Sequence, residues 1–186
     1  MYPQFITLIL FGIATSFTPG PNNIMASHSG FNFGFRKTAP LMLGVIFGWT
    51  ALLISMEAGL IIIFQKFEIL QSIIKILGSF FLVYLAYKIA FSNDRDEKRI
   101  KQPIGFFETF FFQFINPKSV IVAVIMVSTY VEKGQNFFNY SFWTIGVAFT
   151  FAVISIIFWT LVGKFLRKFA TNDKFIKRFN YVMSFL

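Results

Sequence analysis

Residues 142–162 read FWTIGVAFTFAVISIIFWTLV and contain no charged side chain. A helix needs about 20 mostly apolar residues to cross the hydrocarbon core of a bilayer, so this stretch predicts a transmembrane helix. The whole chain has the same character, with 56% hydrophobic and 13% charged residues, whereas soluble domains carry about 25% charged residues. We therefore predict an all-α integral membrane protein that is surrounded by the lipid bilayer.

Other apolar stretches bring the predicted number of transmembrane helices to about six. In chain order they cover residues 5–29, 40–64, 69–91, 104–131, 142–162 and 175–186. The last stretch would reach only about 18 Å as a helix, which is less than the roughly 30 Å core. We therefore expect the last helix to be short or truncated.

The basic residues are distributed unequally between the two membrane sides. Thirteen of them follow the first, third and fifth predicted helices, whereas two follow the second and fourth. Because loops rich in Lys and Arg face the cytoplasm, the N-terminus is predicted to be outside. These loop residues also account for the net charge of +9. Because the sequence has no basic face outside the loops, we do not expect nucleic-acid binding.

The two halves of the chain are predicted to be inverted repeats. Residues 1–91 would form the first three-helix repeat, residues 92–103 a basic cytoplasmic loop, and residues 104–186 the second repeat. Helices 1 and 4 are each interrupted by proline, and they enter the membrane from opposite sides. Inverted repeats with broken helices are an architecture of secondary transporters. The spacing of Gly44 and Gly48 favours close helix packing and permits a homodimer.

The first interruption reads Thr18-Pro19-Gly20-Pro21-Asn22-Asn23. Proline lacks an N–H group and leaves backbone carbonyls without helical partners. Such groups are tolerated within a membrane only where they face protein or a watery cavity. These six residues are therefore candidates for solute binding; the alternative is a simple proline kink.

The second interruption reads Asn116-Pro117-Lys118. Lys118 lies too deep in its predicted helix to reach the membrane surface easily, and an ionisable residue at that depth indicates function. Its positive charge suits a solute carboxylate. The alternative is a structural ion pair, with Glu57 as the partner.

Glu57 is a candidate for proton coupling, because it is a carboxylate within the second predicted helix. An interfacial or ion-paired glutamate is the alternative. No cofactor is expected. The chain has no cysteine and one histidine, His28, so we predict neither a metal site of several histidines nor a catalytic Ser-His-Asp set, and hence no enzyme.

The sequence resembles the LysE/RhtB family of amino-acid exporters. Four segments carry the resemblance and occur in the family's order: residues 18–22 (TPGPN), the glycine-spaced segment 30–48, residues 82–88 (LVYLAYK) and residues 114–118 (FINPK). The resemblance implies a protein of the bacterial inner membrane that exports amino acids or close derivatives, driven by the proton motive force. The alternative is a channel or a transporter of other small solutes.

Overall fold

The computed structural model describes residues 4–90, 103–132, 134–169, 176, 178–179 and 181–183. Within these ranges the chain is helical and contains no strand. The elements are α1 (Phe5–Phe17), α2 (Pro21–Ser55), a π-helical turn (Met56–Leu60), α3 (Ile61–Lys66), α4 (Glu68–Ala90), α5 (Phe106–Ile115), α6 (Pro117–Tyr130) and α7 (Phe137–Arg167). The all-helical prediction is confirmed for the part of the chain described.

Helix α2 reverses its direction at Gly34. This residue has φ +77°, a conformation that costs glycine little. The hydroxyl oxygens of Ser29 and Thr38 lie 2.9 Å apart, although a straight helix would separate these residues by about 13 Å along its axis. Helix α2 therefore consists of a first arm, residues 21–33, and a second arm, residues 35–55. The segment between the first two predicted helices, residues 30–39, is therefore helical apart from the tight turn at Gly34. Pro40, where the second predicted helix begins, lies inside the second arm.

Two helices in the described part of the chain are long and apolar enough to cross a membrane, Pro21–Ile63 and Phe137–Arg167. A third results if the bent pair Phe106–Ile115 and Pro117–Tyr130 counts as one span. The 43 residues from Pro21 to Ile63 would extend about 64 Å if straight, and the reversal at Gly34 divides them between the first predicted helix, which begins in α1, and the second. The total of six spans stays a prediction, since the last one lies largely outside the described residues.

Helix α7 occupies the centre of the packing and contacts both α1 and the first arm of α2. A Cβ atom on Gly163 would overlap the carbonyl oxygen of Ser27, and one on Gly30 would overlap that of Thr160. The second arm of α2 packs equally closely on α5, because Cβ atoms on Gly44 or Gly48 would overlap carbonyl oxygens of that helix. The Gly44–Gly48 face is therefore used for packing within the chain, and the possible homodimer stays a prediction.

Candidate functional site

Both predicted interruptions are present, and they have the same form. Helix α1 ends at Phe17 and α2 begins at Pro21, with extended backbone at Gly20. Helices α5 and α6 are separated only by Asn116 and are bent by 61°. In each case a proline occupies the first turn of the second helix, where its missing N–H costs nothing.

The two interruptions meet at one cavity of ≈ 90 Å³. Helices α1, α2, α6 and α7 and both interruptions contribute to its wall. The lining residues are Thr15, Ser16, Gly20, Pro21, Asn22, Asn23, Val45, Trp49, Asn116, Lys118, Ser119, Val122, Ala152, Ser155 and Ile156. The N-termini of α2 and α6 therefore open on the same space.

Lys118 connects the second interruption to the first. Its ammonium group donates a hydrogen bond of 2.7 Å to the carbonyl oxygen of Thr18. The side chain crosses Gly20 so closely that a Cβ atom there would lie 2.8 Å from Cδ of the lysine. Among the described residues no carboxylate pairs with Lys118, and the ion pair with Glu57 is not formed.

A buried amide network holds the two interruptions together. Asn22 Nδ2 donates to Gln113 Oε1 at 2.8 Å, and Gln113 Nε2 donates back to Asn22 Oδ1 at 2.9 Å. Ser119 Oγ donates to the same Gln113 oxygen at 3.0 Å. Gln113 is 0% exposed. These bonds fix the orientation of the Asn22 amide at the cavity wall.

Asn23 has a different task, although it also lines the cavity. Its Nδ2 donates to the carbonyl oxygens of Ser16 and Thr18 at 2.9 and 3.0 Å. The hydroxyl of Ser155, from α7, donates to the Ser16 oxygen at 2.6 Å. The last carbonyls of a helix lack partners within it, so these two side chains stabilise the end of α1.

The structure brings most of the predicted binding residues to the cavity. Six of them line it: Gly20, Pro21, Asn22, Asn23, Asn116 and Lys118. Thr18, Pro19 and Pro117 are not among the lining residues, although the Thr18 carbonyl accepts the bond from Lys118. Thr18 and Pro19 are exposed. Whether any of the nine contacts solute stays a prediction.

Sequence analysis missed Gln113, Ser119 and Ser155. Gln113 is a single amide in the run FFFQFI before the second interruption, and a polar side chain among phenylalanines was the available signal. Ser119 lies two residues after Pro117, and only the tertiary structure shows that it faces the same network. Ser155 had no comparable signal, because serine is common in membrane helices.

The site combines positive potential with hydrogen-bonding groups. The first N–H groups of α2 and α6 have no helical partner, and each N-terminus carries the positive end of a helix dipole. Lys118 adds a full charge beside them. The cavity suits an anionic group such as a carboxylate, and the neighbouring carbonyl and amide oxygens suit an ammonium group. An all-helical membrane protein with such a site at two broken helices belongs to the class of solute transporters.

Comparison with known proteins identifies the family. The family model described as LysE type translocator matches residues 13–185, and the chain belongs to this family. It is a membrane translocator and not an enzyme. It is 33% identical over 162 residues to the cysteine/O-acetylserine efflux protein of Salmonella paratyphi A (strain ATCC 9150 / SARB42), covering 84% of this chain and 80% of the relative. The protein of that name from Escherichia coli (strain K12) is 30% identical with the same coverage. No solved structure matches significantly.

Proposed function

We propose that this chain exports small amino acids or close derivatives and binds them in the cavity between its two helix interruptions. One observation carries the proposal: the Lys118 ammonium group and the N-termini of α2 and α6 meet at a single cavity. A solute carboxylate there would be stabilised by a charge and two helix dipoles. The broken helices of secondary transporters bind carboxylate groups in this way.

The size and charge of the cavity narrow the solute class. A volume of ≈ 90 Å³ favours a small amino acid over an aromatic one. Among the described residues, Lys118 is the one charged residue that lines the cavity, so a cationic side chain would meet no carboxylate from them. Both features support cysteine and O-acetylserine, which appear in the names of the relatives, as solutes of this chain.

The transport mode we propose is secondary active export by alternating access across a bacterial inner membrane. The matching geometry of the two interruptions supports two inverted repeats, residues 1–91 and 104–186, joined by the basic loop 92–103. The distribution of basic residues supports an external N-terminus and cytoplasmic basic loops. A channel is the rival function, and it would pass solute only down its gradient.

The first test is uptake of labelled cysteine and O-acetylserine into inverted membrane vesicles energised with a proton gradient. Inverted vesicles convert export into accumulation. We expect Lys118→Ala to raise the half-saturating concentration about tenfold to a hundredfold, since a hydrogen bond to a charged group contributes about 1.5–3 kcal/mol. Lys164→Ala is the matched control, because Lys164 is exposed near the end of α7.

The outcomes separate the hypotheses. Accumulation that requires the gradient and weakens in the Lys118 variant supports the exporter and its site. Equilibration without accumulation would indicate a channel. Unchanged half-saturation in Lys118→Ala, with the variant correctly inserted, would remove Lys118 from the solute site.

A further inference from the structure

Three polar side chains with buried oxygen atoms lie toward the end of the molecule remote from Gly34, one in the π-helical turn and two on α7. Oε1 of Glu57, Oγ of Ser141 and Oγ1 of Thr144 are buried without a hydrogen-bond partner in the described residues. Ser141 is 8% exposed and Thr144 is 0% exposed. The Glu57 carboxyl group faces Ser141, and Thr144 follows one turn later on the same face of α7. This set of side chains is called the outer cluster.

The outer cluster is separate from the solute cavity. Glu57 follows the cavity residue Trp49 by eight positions, and Thr144 precedes the cavity residue Ala152 by eight, which corresponds to about 12 Å of helix in each case. The intervening side chains form one apolar layer of buried core residues. Its members are Leu8, Leu52, Leu53, Met56, Val147 and Ala148.

A bare carboxylate in this position would be costly. Each unsatisfied polar group in a membrane interior costs several kcal/mol, and a charged group costs more. Among the described residues no basic side chain neutralises Glu57. A cation at the carboxylate would remove the charge, while the two hydroxyl oxygens would supply the remaining polar contacts.

We propose that Glu57, Ser141 and Thr144 form a site for a small monovalent cation, a proton or a sodium ion, distinct from the solute cavity. The carboxylate and hydroxyl oxygens are hard ligands that suit either ion. Glu57 lies in the π-helical turn Met56–Leu60, and such turns occur frequently at functional sites. The turn includes Gly59 with φ +121°.

The other titratable groups described at this end either have partners of their own or are exposed. The Tyr130 hydroxyl, on α6, donates to the Thr7 carbonyl oxygen at 3.2 Å. The Tyr140 hydroxyl, on α7, interacts with Glu132. Lys66 is exposed at the end of α3. Glu57 is therefore the acidic group that the outer cluster offers to a cation.

The link to transport rests on the proposed exporter function. A cation that enters the outer cluster from outside neutralises Glu57, and its release on the opposite side accompanies solute export. No covalent step is involved; one cation moves inward for each solute that moves outward, so exchange against a zwitterionic solute carries one positive charge into the cell. Glu57→Gln mimics the neutral state permanently, so it should uncouple export from the gradient.

Infrared difference spectroscopy tests the cation site without any solute. Purified full-length protein is titrated with protons in sodium-free buffer and with sodium at constant pH. We expect a carboxyl band that is present in the unsubstituted protein, absent in Glu57→Gln and unchanged in Glu132→Gln, where an exposed carboxylate is replaced. A band that only pH removes identifies a proton site, and one that sodium also removes identifies a sodium site. No band assignable to Glu57 in either titration would overturn the proposal.

The transport arm uses labelled cysteine and the same variants. We expect Glu57→Gln to retain solute exchange across the vesicle membrane. Its gradient-driven accumulation should be at least tenfold lower than that of the unsubstituted protein. Glu132→Gln should behave like the unsubstituted chain, and Ser141→Ala should lie between the two. Full accumulation by Glu57→Gln would overturn the coupling role. If no protein, the unsubstituted chain included, exchanges or accumulates cysteine, the proposed function is contradicted and the spectroscopic result still stands.

Discussion

Adjacent asparagines at the first interruption perform different tasks because consecutive helical residues point about 100° apart. Asn22 faces α5 and exchanges two hydrogen bonds with Gln113. Asn23 faces the end of α1 and holds two of its carbonyl oxygens. At the scale of single residues, one side chain joins the amide network at the cavity wall and its neighbour supports the end of a helix, within the same short motif.

Gln113 provides a prediction at this scale. Gln113→Leu keeps the approximate size of the side chain but leaves the Asn22 amide and the Ser119 hydroxyl without their partner. A buried polar group that loses its partner costs about 1–3 kcal/mol. We expect a lower apparent melting temperature in detergent and a transport rate reduced at least severalfold.

The matched control for this prediction is Gln135→Leu, because Gln135 is exposed in the turn before α7. Thermal unfolding followed by size-exclusion chromatography measures the stability of both variants. Equal melting temperatures for Gln113→Leu and Gln135→Leu would show that the amide network contributes no stability.

At the scale of elements, glycine determines which helices approach each other closely. The contacts of Gly30 and Gly163 place the first arm of α2 against α7 with backbone touching backbone. Helix association in membranes depends on such packing, since lipid supplies no hydrophobic driving force between apolar helices. Gly34 acts differently, because a Cβ atom there would meet nothing within 4 Å and its positive φ forms the turn.

A pair of substitutions on α7 tests this packing. A Cβ atom on Gly163 would overlap the Ser27 carbonyl oxygen, whereas one on Gly146 would meet nothing within 4 Å. We expect Gly163→Ala to lower the melting temperature by several degrees. Gly146→Ala should be neutral or stabilising by up to about 1 kcal/mol, because alanine favours helix. Thermal unfolding in detergent compares them, and similar melting temperatures would contradict the close contact.

At the scale of the whole molecule, the two halves contribute equivalent parts to one site. Pro21 and Pro117 each begin a helix whose N-terminus reaches the cavity. The second arm of α2 packs on α5, as α7 packs on α1. This correspondence supports the inverted repeat, in which each half supplies one broken helix and one helix that packs against the broken helix of the other half.

The orientation in the membrane can be tested with single-cysteine variants. Because the chain contains no cysteine, a maleimide labels only the introduced residue. Gln135→Cys precedes α7 and Lys168→Cys follows it, and both positions are exposed. With an impermeant maleimide on intact cells, we expect labelling of Gln135→Cys only, and labelling of Lys168→Cys after permeabilisation. The reverse pattern would place the N-terminus in the cytoplasm.

The sequence by itself determined the membrane environment, the helical class and the positions of both interruptions. These follow from local properties: apolar runs require lipid, and proline removes hydrogen-bond donors wherever it occurs. The motifs at residues 18–23 and 116–118 likewise placed six of the lining residues correctly. Composition, motif spacing and the resemblance to the family all indicated a membrane transporter, because each can be judged from short segments of consecutive residues.

Only the tertiary structure decided which groups meet. Asn22 pairs with Gln113, Lys118 reaches Thr18, and Glu57 faces Ser141; each of these contacts joins residues far apart in sequence. Such contacts depend on how helices cross, which is set by small packing surfaces such as Gly30 and Gly163. The local sequence pattern carries no information on how helices cross one another. The sequence could therefore indicate which polar residues are candidates for the site, but not which residues they contact.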